Sequence, residues 1–153
     1  MKIEQRLQAL GIALPEAAKP LAMYVPVKQT GKILYISGQI PAVDGKPAFL
    51  GKVGEDVTLE QAQEAARLCI VNMLSVVKGH IGDLDRVRQV VSIQAIVASR
   101  TGFDQQHVVA NAASQLLWDV FGEAGRHART AVGTNQLPLN VPIEIMGAFE
   151  IEA

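Results

Sequence analysis

Residues 129–151 read RTAVGTNQLPLNVPIEIMGAFEI. Arg129-Thr-Ala-Val132 is a short extended run, Leu137-Pro138 breaks it, and beyond Val141 apolar side chains alternate, with Ile143, Ile145, Gly147, Phe149 and Ile151 on one face. The stretch therefore predicts strand, turn, strand, with one arginine opening the first strand and one glutamate inside the second. A guanidinium beside apolar strand residues is open to partial desolvation and needs an anionic partner. Either the protein supplies it, through an ion pair such as one to Glu144, or a ligand carboxylate does, gripped by two parallel hydrogen bonds. Glu144 has the same two readings: a general base or water-positioning group, or one half of a cross-strand ion pair.

Upstream, residues 104–121 predict a helix with Val109, Ala112, Ala113, Leu116, Leu117, Val120 and Phe121 as its buried stripe, stopped by Gly122 and Gly125. Before it, Val87, Val91, Ile93, Ala95 and Val97 alternate along one face of a long strand, with Arg88, Ser92 and Gln94 on the other. Thr58-Leu-Glu-Gln61 fits a capping box and opens a longer helix with Leu59, Ala62, Ala66, Cys69, Ile70, Met73 and Val77 on one stripe, ended by Gly79 and Gly82. Residues 42–56, holding Gly45, Pro47, Gly51 and Gly54, predict a long loop. Ile33–Ile36 predicts a strand covered on both faces. It follows a turn at Thr30-Gly31-Lys32 and a strand Tyr24–Val27 in which Pro26 marks an edge or a bulge. Residues 2–11 predict a short helix, followed by a breaker-rich stretch from Pro15 to Pro20.

The expected order is β-β-α-β-α-β-β behind an N-terminal extension (residues 1–19, short helix plus linker), with the domain proper at 20–153. Two long helices and five or six strands predict an α+β sandwich, a mixed sheet with both helices on one face. The open face would carry Arg88, Ser92, Gln94, Glu144 and Met146. That set is too mixed for solvent surface and too polar for a core, so the face is expected to meet another subunit.

The bulk numbers fit one domain of 153 residues. Apolar residues make up 49% but aromatics only 5%, which predicts an aliphatic core. Fourteen Lys and Arg against 15 Asp and Glu, with no basic block, argue against electrostatic capture of nucleic acid. No apolar run approaches the roughly 20 residues that span a bilayer. The start of the chain has no signal-peptide apolar core, and a lone Cys69 excludes an internal disulfide. A cytoplasmic protein without a membrane partner is expected.

Several residue types invite a chemical reading. His80, His107 and His127 lie in different segments without metal-ligand spacing, so no metal site is expected and surface or cap positions account for them. Cys69 reads as a small core hydrophobe. The motifs G-x-S-x-G and G-x-G-x-x-G and the phosphate loop are absent. Ser37-Gly38-Gln39, after a buried strand, either ends that strand in a plain turn or leaves backbone amides open to a ligand. Tyr24 is a packed aromatic or a pocket wall, and Asn111 a helix-surface amide or a pocket lining.

Together these residues resemble the RidA/YjgF family, also called the L-PSP endoribonuclease family, over residues 20–151. The resemblance rests on Tyr24, Ser37-Gly-Gln-Ile-Pro41, Thr58-Leu-Glu-Gln-Ala-Gln, Asn111, and Ala-Arg129-Thr-Ala-Val followed by Leu137-Pro138 and Ile143-Glu144-Ile145. It implies a chorismate-mutase-like α+β fold and a homotrimer with inter-subunit clefts. It also implies cofactor-free hydrolysis of 2-imino acids or their enamine tautomers to 2-keto acids and ammonia. Carried onto this chain, Arg129 would hold the substrate carboxylate and Glu144 would orient the water. Tyr24, Ser37, Gly38, Asn111 and backbone groups at Ala131 would shape the cleft. A non-catalytic small-carboxylate module on the same fold, or an endoribonuclease, are the alternatives. Three departures mark a divergent member: Ala131 stands where the family often has cysteine, Gly125-Arg-His-Ala lacks a proline many relatives carry, and Val25-Pro26 replaces a small polar pair.

Overall fold

The computed structural model describes residues 2–17 and 22–153, so the breaker-rich stretch lies partly outside the described residues. The elements are α1 (Lys2–Ala9), β1 (Val27–Thr30), β2 (Ile33–Gln39), β3 (Ala42–Val43), β4 (Lys46–Pro47), α2 (Leu59–Ile81), β5 (Val87–Ala98), α3 (Gln106–Phe121), β6 (Ala128–Thr134) and β7 (Ile143–Ile151). The main sheet has the order β1-β2-β7-β5-β6. Only β5 and β6 run parallel, joined through α3, and the other neighbours are antiparallel. The expected mixed sheet with two long helices on one face is present.

Helix α2 begins where the sequence places it. The Thr58 side chain accepts the Gln61 amide at 3.1 Å and the Gln61 side chain accepts the Thr58 amide at 2.9 Å, an arrangement worth about 1 kcal/mol. The helix runs through Gly79 and stops only at Gly82, whose φ of 84° takes the chain out of the helical region. Its fully buried Ala62, Ala66, Cys69, Ile70, Met73 and Val77 pack with the apolar stripe of α3 and with Ile93, Ile143, Ile145 and Phe149 from the sheet. Phe121 and Phe149 meet edge to face, with ring centroids 6.2 Å apart.

Five expectations are corrected. Tyr24–Val27 is not a strand: β1 starts at Val27, and Tyr24 to Pro26 run as an irregular lead-in. The Ile33–Ile36 run is covered on one face only, because Tyr35 is 54% exposed while Leu34 and Ile36 are buried. The stretch 42–56 is not wholly loop, since β3 and β4 form a small hairpin inside it. The alternation in β5 slips at irregularities between Val87 and Gln89 and between Val90 and Ser92. Val90, not Val91, therefore enters the core, and Val91 stays exposed. In α3, which starts at Gln106, Ala110 is buried and Ala112 only partly so.

Helix α1 is held by the rest of the fold. Leu7 is 2% exposed within the common core. The Asp85 carboxylate accepts the Lys2 and Ile3 amides at 2.8 and 2.9 Å, as an acid at a helix N-terminus should. Arg6 donates to the Val120 carbonyl at the end of α3, at 3.1 Å, and Lys78 pairs with Glu4 at 2.7 Å.

Candidate functional site

The side chain of Arg129 is aimed by the strand it sits on. In the parallel β5–β6 ladder Arg129 is opposite Ile93, which is fully buried beneath the helices. Arg129 therefore lies on the helix-covered face, as do His127 and Ala131 two residues to either side. Because β6 is an edge strand, the guanidinium emerges beside α3. Its Nη1 donates to Asn111 Oδ1 at 2.9 Å and to Ser114 Oγ at 3.2 Å. Ala131, partly buried, packs against the core. Asn111 and Ser114 are one helical turn apart on α3, so both reach the same cation.

His127 completes this cluster. Its Nδ1 lies 2.7 Å from the Gly125 carbonyl and its Nε2 lies 2.9 Å from Ser114 Oγ. Burial, with the nearby Arg129 charge adding to it, lowers the imidazole pKa despite the opposing bond to Gly125. Gly125 sits tight against α3, where a Cβ would collide with the Leu117 carbonyl. The residues open onto a cleft of about 540 Å³ between α3 and the start of β6, with Trp118 and Arg126 on its walls. A neighbouring groove of about 580 Å³ between α2 and α3 shares Asn111 and Gln115. Among the described residues Arg129 makes no ion pair with a carboxylate, whereas Arg126 is bound to Glu123 at 3.4 Å.

Glu144 belongs to a second cluster. It is opposite Ile96 in the β5–β7 ladder, between the buried Ile143 and Ile145, so it points to the face away from the helices. Burial raises its carboxyl pKa. It lies against Gly38, where β2 is irregular between Ile36 and Gln39, and a Cβ on Gly38 would strike its Oε1. Ser37 ties the Tyr24 segment to this strand: its amide donates to Pro26 O at 2.9 Å and its hydroxyl to Val25 O at 2.7 Å. Tyr24 is 56% exposed.

The structure thus divides the expected site residues in two. Arg129 and Asn111, with Ala131 beneath them, lie at the helix-side edge of β6. Glu144, Gly38 and Ser37, with Tyr24 tethered nearby, lie at β2 and β7 on the other face. Arg129 and Glu144 do not form an ion pair, and one chain alone does not set them around a common cleft. Three residues of the first cluster were not among the expected site residues. Ser114 was signalled by its i+3 spacing from Asn111, and His127 by its i−2 spacing from Arg129. Trp118 carried no signal short of the fold. No group of three or more His, Cys, Asp or Glu able to hold a metal occurs among the described residues, and no described helix is long and apolar enough to cross a membrane.

Fold and clusters define a small α+β sandwich with an arginine-floored cleft at its sheet edge. The chain belongs to the YjgF/chorismate-mutase-like family: the family model described as "YjgF/chorismate_mutase-like, putative endoribonuclease" matches residues 4–148. Protein TCP17 of Trypanosoma cruzi is 42% identical over 151 residues, 98% of this chain and 94% of that protein. The solved structure of Atu1372 from Agrobacterium tumefaciens is 48% identical with a TM-score of 0.92, covering 98% of this chain and 92% of that one. A Shewanella oneidensis structure described as a "putative endoribonuclease" is 32% identical with a TM-score of 0.95, covering 99% and 100%.

Proposed function

We propose that this protein hydrolyses 2-imino acids, or their enamine tautomers, to 2-keto acids and ammonia. The carrying observation is the state of Arg129: a guanidinium at a cleft, steadied by two neutral side chains and facing no carboxylate among the described residues. Such a group suits a ligand carboxylate, since a charged pair with two parallel hydrogen bonds is among the stronger polar contacts. With the carboxylate anchored, a water adds its oxygen to the C=N carbon. One water proton passes through Glu144 to the nitrogen, giving the carbinolamine; its hydroxyl proton then passes by the same carboxylate to the nitrogen as the C=O bond forms, the C–N bond breaks and ammonia leaves. A raised carboxyl pKa suits a group that takes and returns a proton. Imines hydrolyse readily unaided, so positioning and charge stabilisation suffice.

Because the two clusters lie on opposite faces, a complete site takes Arg129 and Asn111, with the backbone at Ala131, from one copy. Tyr24, Ser37, Gly38 and Glu144 come from the next. Heterologous contacts of this kind close into a ring, and a homotrimer with three inter-subunit clefts is the assembly we infer. Hydrolysis of an imine at this site needs no cofactor.

The test is ammonia and keto-acid release from imines generated in situ by an amino-acid oxidase, with semicarbazide competing for the imine. Arg129→Ala should lower the enzyme-dependent rate roughly a hundredfold. Equal rates for wild type and Arg129→Ala would sink the proposal. A small-carboxylate binding module is the second reading, favoured by the lack of an acid paired with Arg129 among the described residues. Keto-acid binding by calorimetry without turnover would select it. The net charge of −1 and a cleft with only two arginines disfavour ribonuclease action, because RNA backbones are held by many cations.

A further inference from the structure

The bonds around His127 have a direction. Gly125 O is a carbonyl and only accepts, so Nδ1 of His127 carries the proton across their 2.7 Å contact. In the neutral ring Nε2 is then bare and accepts the Ser114 hydroxyl proton across 2.9 Å. That turns the Ser114 lone pairs toward Arg129 Nη1, which donates at 3.2 Å. The second Nη1 proton goes to Asn111 Oδ1 at 2.9 Å. Both protons of Nη1 are thereby committed to the protein, and the edge formed by Nε and Nη2 is left to face a ligand. The other tautomer would set a bare Nδ1 against the Gly125 carbonyl, two acceptors 2.7 Å apart. The half-buried imidazole is kept neutral by burial and by Arg129. Of the other charged groups nearby, Arg126 is tied to Glu123 and Asp119 of α3 accepts from Gln115.

We propose that His127 and Ser114 are positioning residues that fix the Arg129 guanidinium, so that a substrate carboxylate is gripped side-on by its Nε and Nη2 edge. The inference rests on the carboxylate-binding reading above and adds to it two residues that do not touch the ligand. It makes His127, through its tautomer, the source of the orientation.

The test measures pyruvate binding by calorimetry at pH 7.5 on the full chain, with ¹⁵N spectra of the histidine rings. Ser114→Ala and His127→Phe should each weaken binding roughly three- to tenfold, the worth of one neutral hydrogen bond. The double variant should lose no more than the worse single one, since both break one chain, and Ser114→Thr should bind as wild type does. The ¹⁵N spectrum should show His127 protonated at Nδ1 and bare at Nε2. Thermal midpoints identify any variant that fails to fold; if His127→Phe does, Ser114→Ala with the nitrogen spectrum decides. Wild-type binding with unaffected single variants, strictly additive losses, or a protonated Nε2 overturns the positioning role while leaving the carboxylate reading intact. Absence of pyruvate binding in wild type overturns the carboxylate reading, and this proposal with it.

Discussion

Gly38 is glycine because Glu144 occupies the space a side chain would need. Adding a methyl forces the carboxylate or the β2 irregularity to move. Gly38→Ala should therefore cost about 1–3 kcal/mol in a denaturant titration, and it should reduce imine hydrolysis at least tenfold by displacing the acid. The raised pKa of Glu144 also fixes a sign. Folding disfavours the ionised form, so its contribution to stability is fully present below the ordinary carboxyl value and falls as pH rises from there through the raised value. Glu144 and Gly38 were each legible in the sequence as candidates, but their contact was not. It depends on a register shift between Ile36 and Gln39, which no alternation of residue types announces. His127 escaped for a related reason: two bonds confer its role, and one partner, Ser114, lies 13 residues away on α3.

At the scale of elements, α2 was readable because capping box, apolar stripe and terminal glycine all agree locally. Helix α1 was readable as a helix over residues 2–11 but not as part of the core. Its partners, Asp85, Val120 and Lys78, come from distant segments. Leu7→Ala should cost about 2–4 kcal/mol in thermal or denaturant unfolding. The same helix carries a pH dependence. The Ile3 and Lys2 amides lower the Asp85 pKa from 3.8, so its stabilising effect is present above the ordinary carboxyl range and fades as pH falls through the lowered value. Amide exchange in α1 should accelerate at the acid end before exchange in α2 does, and in Asp85→Asn it should be faster at neutral pH as well. The strand β5 misled in one place only, where its irregularities trade Val91 for Val90.

For the whole molecule, the sheet face away from the helices was legible as half polar, and it also exposes large apolar side chains. Tyr35 is 54% exposed and Val132 48%. An apolar surface of this kind is costly to leave in water and marks a contact region. Val132→Glu should shift the sedimentation of the protein toward the monomer and remove turnover, while leaving the circular dichroism of the fold intact. An unchanged sedimentation coefficient would show that this face does not join subunits. The architecture followed from local patterns, but the two-copy site proposed above did not, because a residue pattern states which side of a strand a group occupies and not which copy it will meet.

The separation of Arg129 and Glu144 to opposite faces of one sheet, with the two-copy site proposed from it, predicts that the two lesions are complementary in mixture. A preparation of Arg129→Ala alone should be inactive at every interface, and so should one of Glu144→Gln. When the two are unfolded together and reassembled in equal amounts, an interface draws its arginine from one neighbour and its glutamate from the other at random. About one interface in four then receives both intact groups. Two dead proteins mixed in this way should regain about a quarter of the wild-type rate, and a site contained within one chain would regain none.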